Sequence, residues 1–170
     1  MTITNEQSEA IENFMLAVSK LRELKIIKSD RFLGDLGEFL ASSEFGLALA
    51  KSLRQRGYDT EGEQDRVQIK FHNSPTRTNI DFGSPEAYDR AIVVIGPDSL
   101  LHPGDTFSGS YCFYEFSAAH VREKFSTGKK FSCGKQALGT PVRSLTLKRD
   151  YAKARSPLAP FVGTHRASNA

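Results

Sequence analysis

Asp59, Gln68 and Lys70 stand in one stretch, residues 57–71, reading GYDTEGEQDRVQIKF. The run 66–71 alternates, which places Val67, Ile69 and Phe71 on one face of a strand and Gln68 and Lys70 on the other. Asp59 falls on a shorter strand before it, and the tight acidic turn between them predicts a hairpin. Across that hairpin a carboxylate, an amide and an ammonium converge on one side of a small sheet. Oxygen donors beside an ammonium suit a hard divalent cation and a phosphate. Glu38, near the start of the preceding helix, is a further acid at the edge of the same sheet.

Each of the four has a plainer role open to it. Glu38 suits a first-turn carboxylate favoured by the helix dipole, and Asp59 suits a turn acid. Gln68 and Lys70 suit solvated positions on a strand. Glu61 and Asp65 are rival acids, although Asp65 lies on the same strand as Gln68 and makes the poorer cross-strand partner. His72, His102, His120 and His165 show no ligand spacing and read as surface or loop residues.

The elements that must position these groups follow from periodicity. Ile11, Phe14, Met15, Val18, Leu21, Leu24 and Ile27 recur at three- and four-residue steps, predicting a helix over 4–28. Thr4 is its N-cap, with Gln7 closing a capping box. Its long apolar face also suits packing against a second copy of the chain, a homodimer through the N-terminal helix. A second helix over 33–56 turns Leu36, Phe39, Leu40, Leu47, Ala50 and Leu53 inward and ends at Gly57.

After the hairpin, residues 72–88 read as a polar loop, either facing substrate or serving as a mobile linker. Residues 90–95 (RAIVVI) read as a central strand covered on both faces and stopped by Gly96-Pro97. Residues 111–116 are an aromatic strand, and Ser117 caps a short helix through Phe125. Residues 140–148 make a last strand or an extended arm. The order of elements predicts an α+β domain over 1–148, a mixed central sheet flanked by helices with a long N-terminal helix added. Residues 149–170 read as a basic, poorly ordered tail.

Hydrophobic content of 39% and charged content of 25% fit one globular domain. No apolar run approaches the roughly 20 residues of a membrane span. The opening MTITNEQSEAIENF is acidic and polar, unlike a signal peptide. Cys112 and Cys133 form neither a disulfide framework nor a metal-ligand spacing, so two reduced thiols and a cytoplasmic location are expected. Charge is divided unevenly. Residues 1–116 carry 12 basic against 18 acidic side chains, and residues 117–170 carry 11 against 2. A basic C-terminal third is the electrostatic footprint of a nucleic-acid surface, with Lys124, Lys129, Lys130 and Lys135 as its candidates and Arg77 added from the loop 72–88, although basic tails also serve only to keep a chain in solution.

Glu38 on a helix, Asp59 on a strand and Gln68-Ile69-Lys70 on the next strand resemble the PD-(D/E)XK phosphodiesterases, the restriction-endonuclease-like superfamily. The wording GEFLASSEFGL, GYD and RVQIK is similar to a small bacterial family within it. The likeness covers roughly residues 34–95. Its third position is normally Asp or Glu, and the QxK form matches that of Mrr-like restriction enzymes.

The resemblance implies an αβββαβ core and metal-dependent hydrolysis of DNA with Mg²⁺ or Mn²⁺. On it, Asp59, Gln68 and the Ile69 carbonyl hold the cation, Glu38 binds it or orients a water, and Lys70 positions the attacking water. An amide in place of a carboxylate removes one negative charge from the site. The same fold decayed at Gln68, binding nucleic acid or a protein partner without cleavage, is the alternative.

Overall fold

The computed structural model describes residues 2–24, 33–50, 57–60 and 65–147. Thr4 opens α1 (Asn5–Glu23): its hydroxyl accepts the Gln7 amide at 3.2 Å, and Gln7 Oε1 accepts the Thr4 amide at 2.9 Å. That is the reciprocal capping box the spacing predicts. Ile11, Met15 and Val18 are buried, while Phe14 is 42% and Leu24 56% exposed, so the buried stripe is narrower than the apolar pattern. Residues 25–28, where the periodicity carries the helix onward, lie outside the described residues.

The second helix stops earlier than expected. α2 (Gly34–Phe45) ends at Gly46, which sits at φ 68°, ψ 32° with its amide bonded to the Ser42 carbonyl. Ser42 Oγ also donates to the Leu47 carbonyl at 2.8 Å. A left-handed glycine backed by a side-chain bond closes a helix wherever it occurs, so Gly57 is not the stop. Ala50 is outside the helix, and Leu53 lies outside the described residues.

The strands in chain order are β1 (Val67–His72), β2 (Ile80–Asp81), β3 (Arg90–Ile95), β4 (Tyr111–Ser117), β5 (Ser132–Cys133) and β6 (Arg143–Leu145). A mixed sheet has the order β1-β3-β4-β6, with β1 and β3 parallel and the other pairs antiparallel. β2 and β5 form a separate antiparallel ribbon. Two helices complete the fold, α3 (Ala118–Lys124), capped by Ser117, and the single-turn α4 (Lys135–Leu138). No helix among the described residues is long and apolar enough to cross a membrane.

β3 is the central strand its aliphatic run predicts: Ala91 through Ile95 are fully buried. On one face Ile92 and Val94 join Val67, Ile69, Tyr111 and Phe113 beneath α1 and α2, through Ile11, Met15, Leu40 and Ala41. On the other, Ala91, Val93 and Ile95 join Cys112 and Tyr114 beneath α3 and the β2–β5 ribbon, through Val121, Phe125, Ile80 and Phe82. The fold is therefore α+β, a mixed sheet flanked by helices.

Two expectations change between α2 and β3. Residues 57–60 do not pair with β1 as a hairpin. They run as a short extended segment, with Thr60 bridged to Leu49, the Ala50 amide on the Asp59 carbonyl, and the Asp59 amide on the Val67 carbonyl at 2.7 Å. Beyond that last bond the side chains of Asp59 and Thr60, not backbone carbonyls, take the outward amides of β1, so no ladder forms. The acidic turn itself, residues 61–64, lies outside the described residues. Residues 72–88 are not wholly loop either. His72 ends β1 and is buried, Asn73 is buried beside it, and β2 lies farther on.

Candidate functional site

β1 is an edge strand, and its outward backbone defines the site. The Val67 amide donates to Thr60 Oγ1 at 3.0 Å, and the Ile69 amide donates to Asp59 Oδ2 at 2.6 Å. The amide and carbonyl of one strand residue point to the same side, so the Ile69 carbonyl also faces the free edge. Gln68 and Lys70, alternate in phase, share the sheet face of their β3 partners Ala91 and Val93. From there Gln68 Nε2 reaches Asp59 Oδ2 at 2.5 Å and the Ile69 carbonyl at 3.3 Å.

Glu38 comes to the same corner from α2. Its neighbour Gly37 is buried directly against the stem of Phe71, which brings the helix backbone close to β1. The two carboxylates feel each other. Burial, then the charge of Asp59, then that of Asp35, raises the Glu38 pKa above the ordinary glutamate value. Asp59 is also raised, chiefly by burial, and partly drawn back by the Ile69 amide, the Lys70 ammonium and the Gln68 amide. Burial is the larger cause for both carboxylates, and a bound cation would favour their ionised forms.

Hydrogen bonds thus join Asp59, Gln68 and Ile69, although not through the hairpin the sequence predicts, and charge alone links Lys70 to Asp59 and Asp59 to Glu38. The oxygens on offer are two carboxylates and one backbone carbonyl, with the Gln68 carboxamide turned so that its nitrogen faces Asp59. That chemistry suits Mg²⁺ or Mn²⁺ with few charged ligands. Among the described residues no group of three or more His, Cys, Asp and Glu side chains gathers to hold a metal ion.

The rival acid Asp65 is engaged elsewhere. Arg90 grips its carboxylate at 2.6 Å and bonds Glu115 at 2.6 Å, and that guanidinium holds the Asp65 pKa below its ordinary value. Asp89, at the mouth of β3, pairs with Arg66 at 2.9 Å. Glu61 lies outside the described residues. Two histidines depart from the surface reading. His72 is buried with Nδ1 on Ser99 Oγ at 2.7 Å, and His102 is buried with Nε2 on the Ser110 carbonyl at 3.0 Å. His120 is exposed, stacked on Phe116, and His165 lies outside the described residues.

The basic candidates are all exposed. Lys124 closes α3 and is paired with Glu123 at 2.7 Å. Lys129 and Lys130 ride a tight turn closed by the Thr127 amide on the Lys130 carbonyl and by a bridge between Ser126 and Phe131. Arg77 and Lys135 flank the opposite end of the β2–β5 ribbon, whose register pairs Ile80 with Cys133. The ribbon and α3 pack on the sheet face that Gln68 and Lys70 share, whereas α2, which carries Glu38, packs on the other.

Thr60 is the residue that sequence reasoning missed. A threonine directly after the candidate acid, one strand away from an alternating run, was the available signal. No protein-family model matches this chain, and no curated protein matches it.

Proposed function

We propose that this corner is a phosphodiester-cleaving centre of the PD-(D/E)XK type, in its QxK form, acting on DNA with Mg²⁺ or Mn²⁺. The observation that carries the reading is the meeting of Asp59 with the Ile69 amide and the Gln68 carboxamide at the outer edge of β1, the strand that also carries Lys70, with α2 bringing Glu38 toward that strand. The succession α2, residues 47–50, residues 57–60 and β1 follows the order of the αβββ opening of such a core, with one isolated Leu49–Thr60 bridge in place of its first two strands. The crossover from β1 to β3 departs from it, carrying β2 and no helix.

In this reading Asp59, the Ile69 carbonyl and the Gln68 carboxamide oxygen hold the cation, and Glu38 holds it or a water beside it. The cation, when bound, supplies Lewis-acid stabilisation of charge growing on the phosphate. Lys70 orients the attacking water by hydrogen bonding and offsets that charge from the protein side. Arg77, Lys124, Lys129, Lys130 and Lys135 carry the nucleic-acid backbone to the site.

Incubating the protein with plasmid and linear DNA plus Mg²⁺ or Mn²⁺, beside a Lys70→Ala variant, tests it. Cation-dependent scission that is lost in Lys70→Ala is expected. Scission that survives the substitution, or none with either cation, overturns the assignment.

The second reading, a non-cleaving module that binds nucleic acid, is favoured by one specific observation. Gln68 already satisfies Asp59 with a hydrogen bond. Salt-sensitive DNA binding without scission is its signature.

A further inference from the structure

Gln68 Nε2 lies 2.5 Å from Asp59 Oδ2 and 3.3 Å from the Ile69 carbonyl oxygen. Both are acceptors, so the carboxamide must present its nitrogen and not its oxygen to them. An NH₂ group spanning two oxygens supplies from within the protein the positive partial charge that a cation would bring. We infer that the Gln68 carboxamide is a built-in stopper of the cation position, which opens only when the group turns about its terminal torsion. This rests on the proposed cation site and concerns how that site is controlled.

The turn changes two things together. It withdraws the donors from Asp59 Oδ2 and the Ile69 carbonyl, and it presents Oε1 as a further oxygen ligand. Asp59 keeps the Ile69 amide, bonded at 2.6 Å, so the edge of β1 stays closed while the site opens. A glutamate at 68 could not act as a stopper, because a carboxylate only accepts and would repel Asp59. The glutamine therefore makes cation entry conditional, where an acid would leave the site permanently ready.

The test uses the full-length chain, ¹⁵N-labelled and titrated with Mg²⁺, with the Gln68 side-chain pair identified by its loss in Gln68→Glu. The expected result is that one Gln68 amide proton, shifted downfield by the carboxylate, moves upfield in step with the Ile69 backbone amide. By calorimetry, Gln68→Glu is expected to bind Mn²⁺ at least about tenfold more tightly than the parent chain, since ligand charge sets affinity at such sites. A Gln68 pair that stays put while the Ile69 amide shifts overturns the stopper and leaves the cation site standing. Equal Mn²⁺ affinities in the two proteins do the same. Absence of Mn²⁺ binding in both removes the cation site and the stopper with it. Should Gln68→Glu fail to fold, loss of the pair in Gln68→Leu identifies it, and the Mg²⁺ titration of the parent chain decides alone.

Discussion

A Cβ placed on Gly37 would lie 2.5 Å from the Cβ of Phe71, so α2 crosses β1 with bare backbone against the stem of a phenylalanine. Side-chain tips can yield at such a distance, but a Cβ is fixed to its strand. This crossing sets how near Glu38, the next residue, comes to the edge of β1.

Gly37→Ala should therefore destabilise the protein, although alanine is the better helix former by about 1 kcal/mol. Overpacking of this kind costs about 1–3 kcal/mol and wins. Urea unfolding checks the sign. A variant as stable as the parent would show that α2 is free to move outward.

Glu38→Gln should act in the opposite direction. Glu38 and Asp59 both titrate above their ordinary values, so the folded chain holds these protons more tightly than the unfolded one. Their contribution to stability is complete below the ordinary carboxylate range. It is lost as pH rises through the raised folded values, and above them the two ionised groups oppose folding. At pH 7 Glu38→Gln relieves that opposition and should stabilise by less than about 1 kcal/mol, because solvent screens a half-buried group. The gain should shrink as pH falls below the raised values, where Glu38 is already neutral. Thermal unfolding at pH 7 and pH 4 measures it, and a loss of stability at pH 7 would contradict the repulsion.

The polar residues of the site were legible in the sequence because β alternation is a strong signal. Once Val67, Ile69 and Phe71 are inward, Gln68 and Lys70 have a single face left. The partner of Asp59 was legible too, but not the means. Whether a backbone carbonyl or a side-chain oxygen meets an edge amide depends on local geometry that composition does not encode, and Thr60 and Asp59 both supply side-chain oxygens. Gly46 and Gly57 both take positive φ, and the Gly46 amide on the Ser42 carbonyl together with the Ser42 hydroxyl on the Leu47 carbonyl mark the first as the end of α2. β5 and α4 are too short to carry periodicity. They exist because the β2 edge and the apolar face of β3 and β4 need covering.

The basic surface makes a prediction about salt. Lys129 and Lys130 lie in a turn and are exposed, whereas Lys124 already pairs with Glu123 at 2.7 Å. If Lys129 and Lys130 meet phosphates, each alanine substitution should reduce the slope of log affinity against log salt by about 1. Lys124→Ala should change it less, since its ammonium is partly neutralised. DNA binding measured by anisotropy across a salt series checks this. Unchanged slopes in Lys129→Ala and Lys130→Ala would remove the turn from the interface.

The two thiols should be chemically silent in the folded protein. Cys112 and Cys133 are both buried, and burial pushes each thiol pKa up to about 11. Cys112 Sγ does lie 3.7 Å from His102 Nε2, a pairing that elsewhere makes a nucleophile. Here the imidazole is set the wrong way round. His102 Nδ1 accepts the Gly104 amide at 3.1 Å, so Nε2 carries the proton, and it points at the Ser110 carbonyl 3.0 Å away. A nitrogen that already bears hydrogen cannot take one from the thiol. Treatment of the native chain with a thiol-disulfide reagent at pH 8 should label neither cysteine before global unfolding, and the denatured chain should label both at once. Rapid native labelling of Cys112 would mean that His102 has exchanged tautomers and acts as its base.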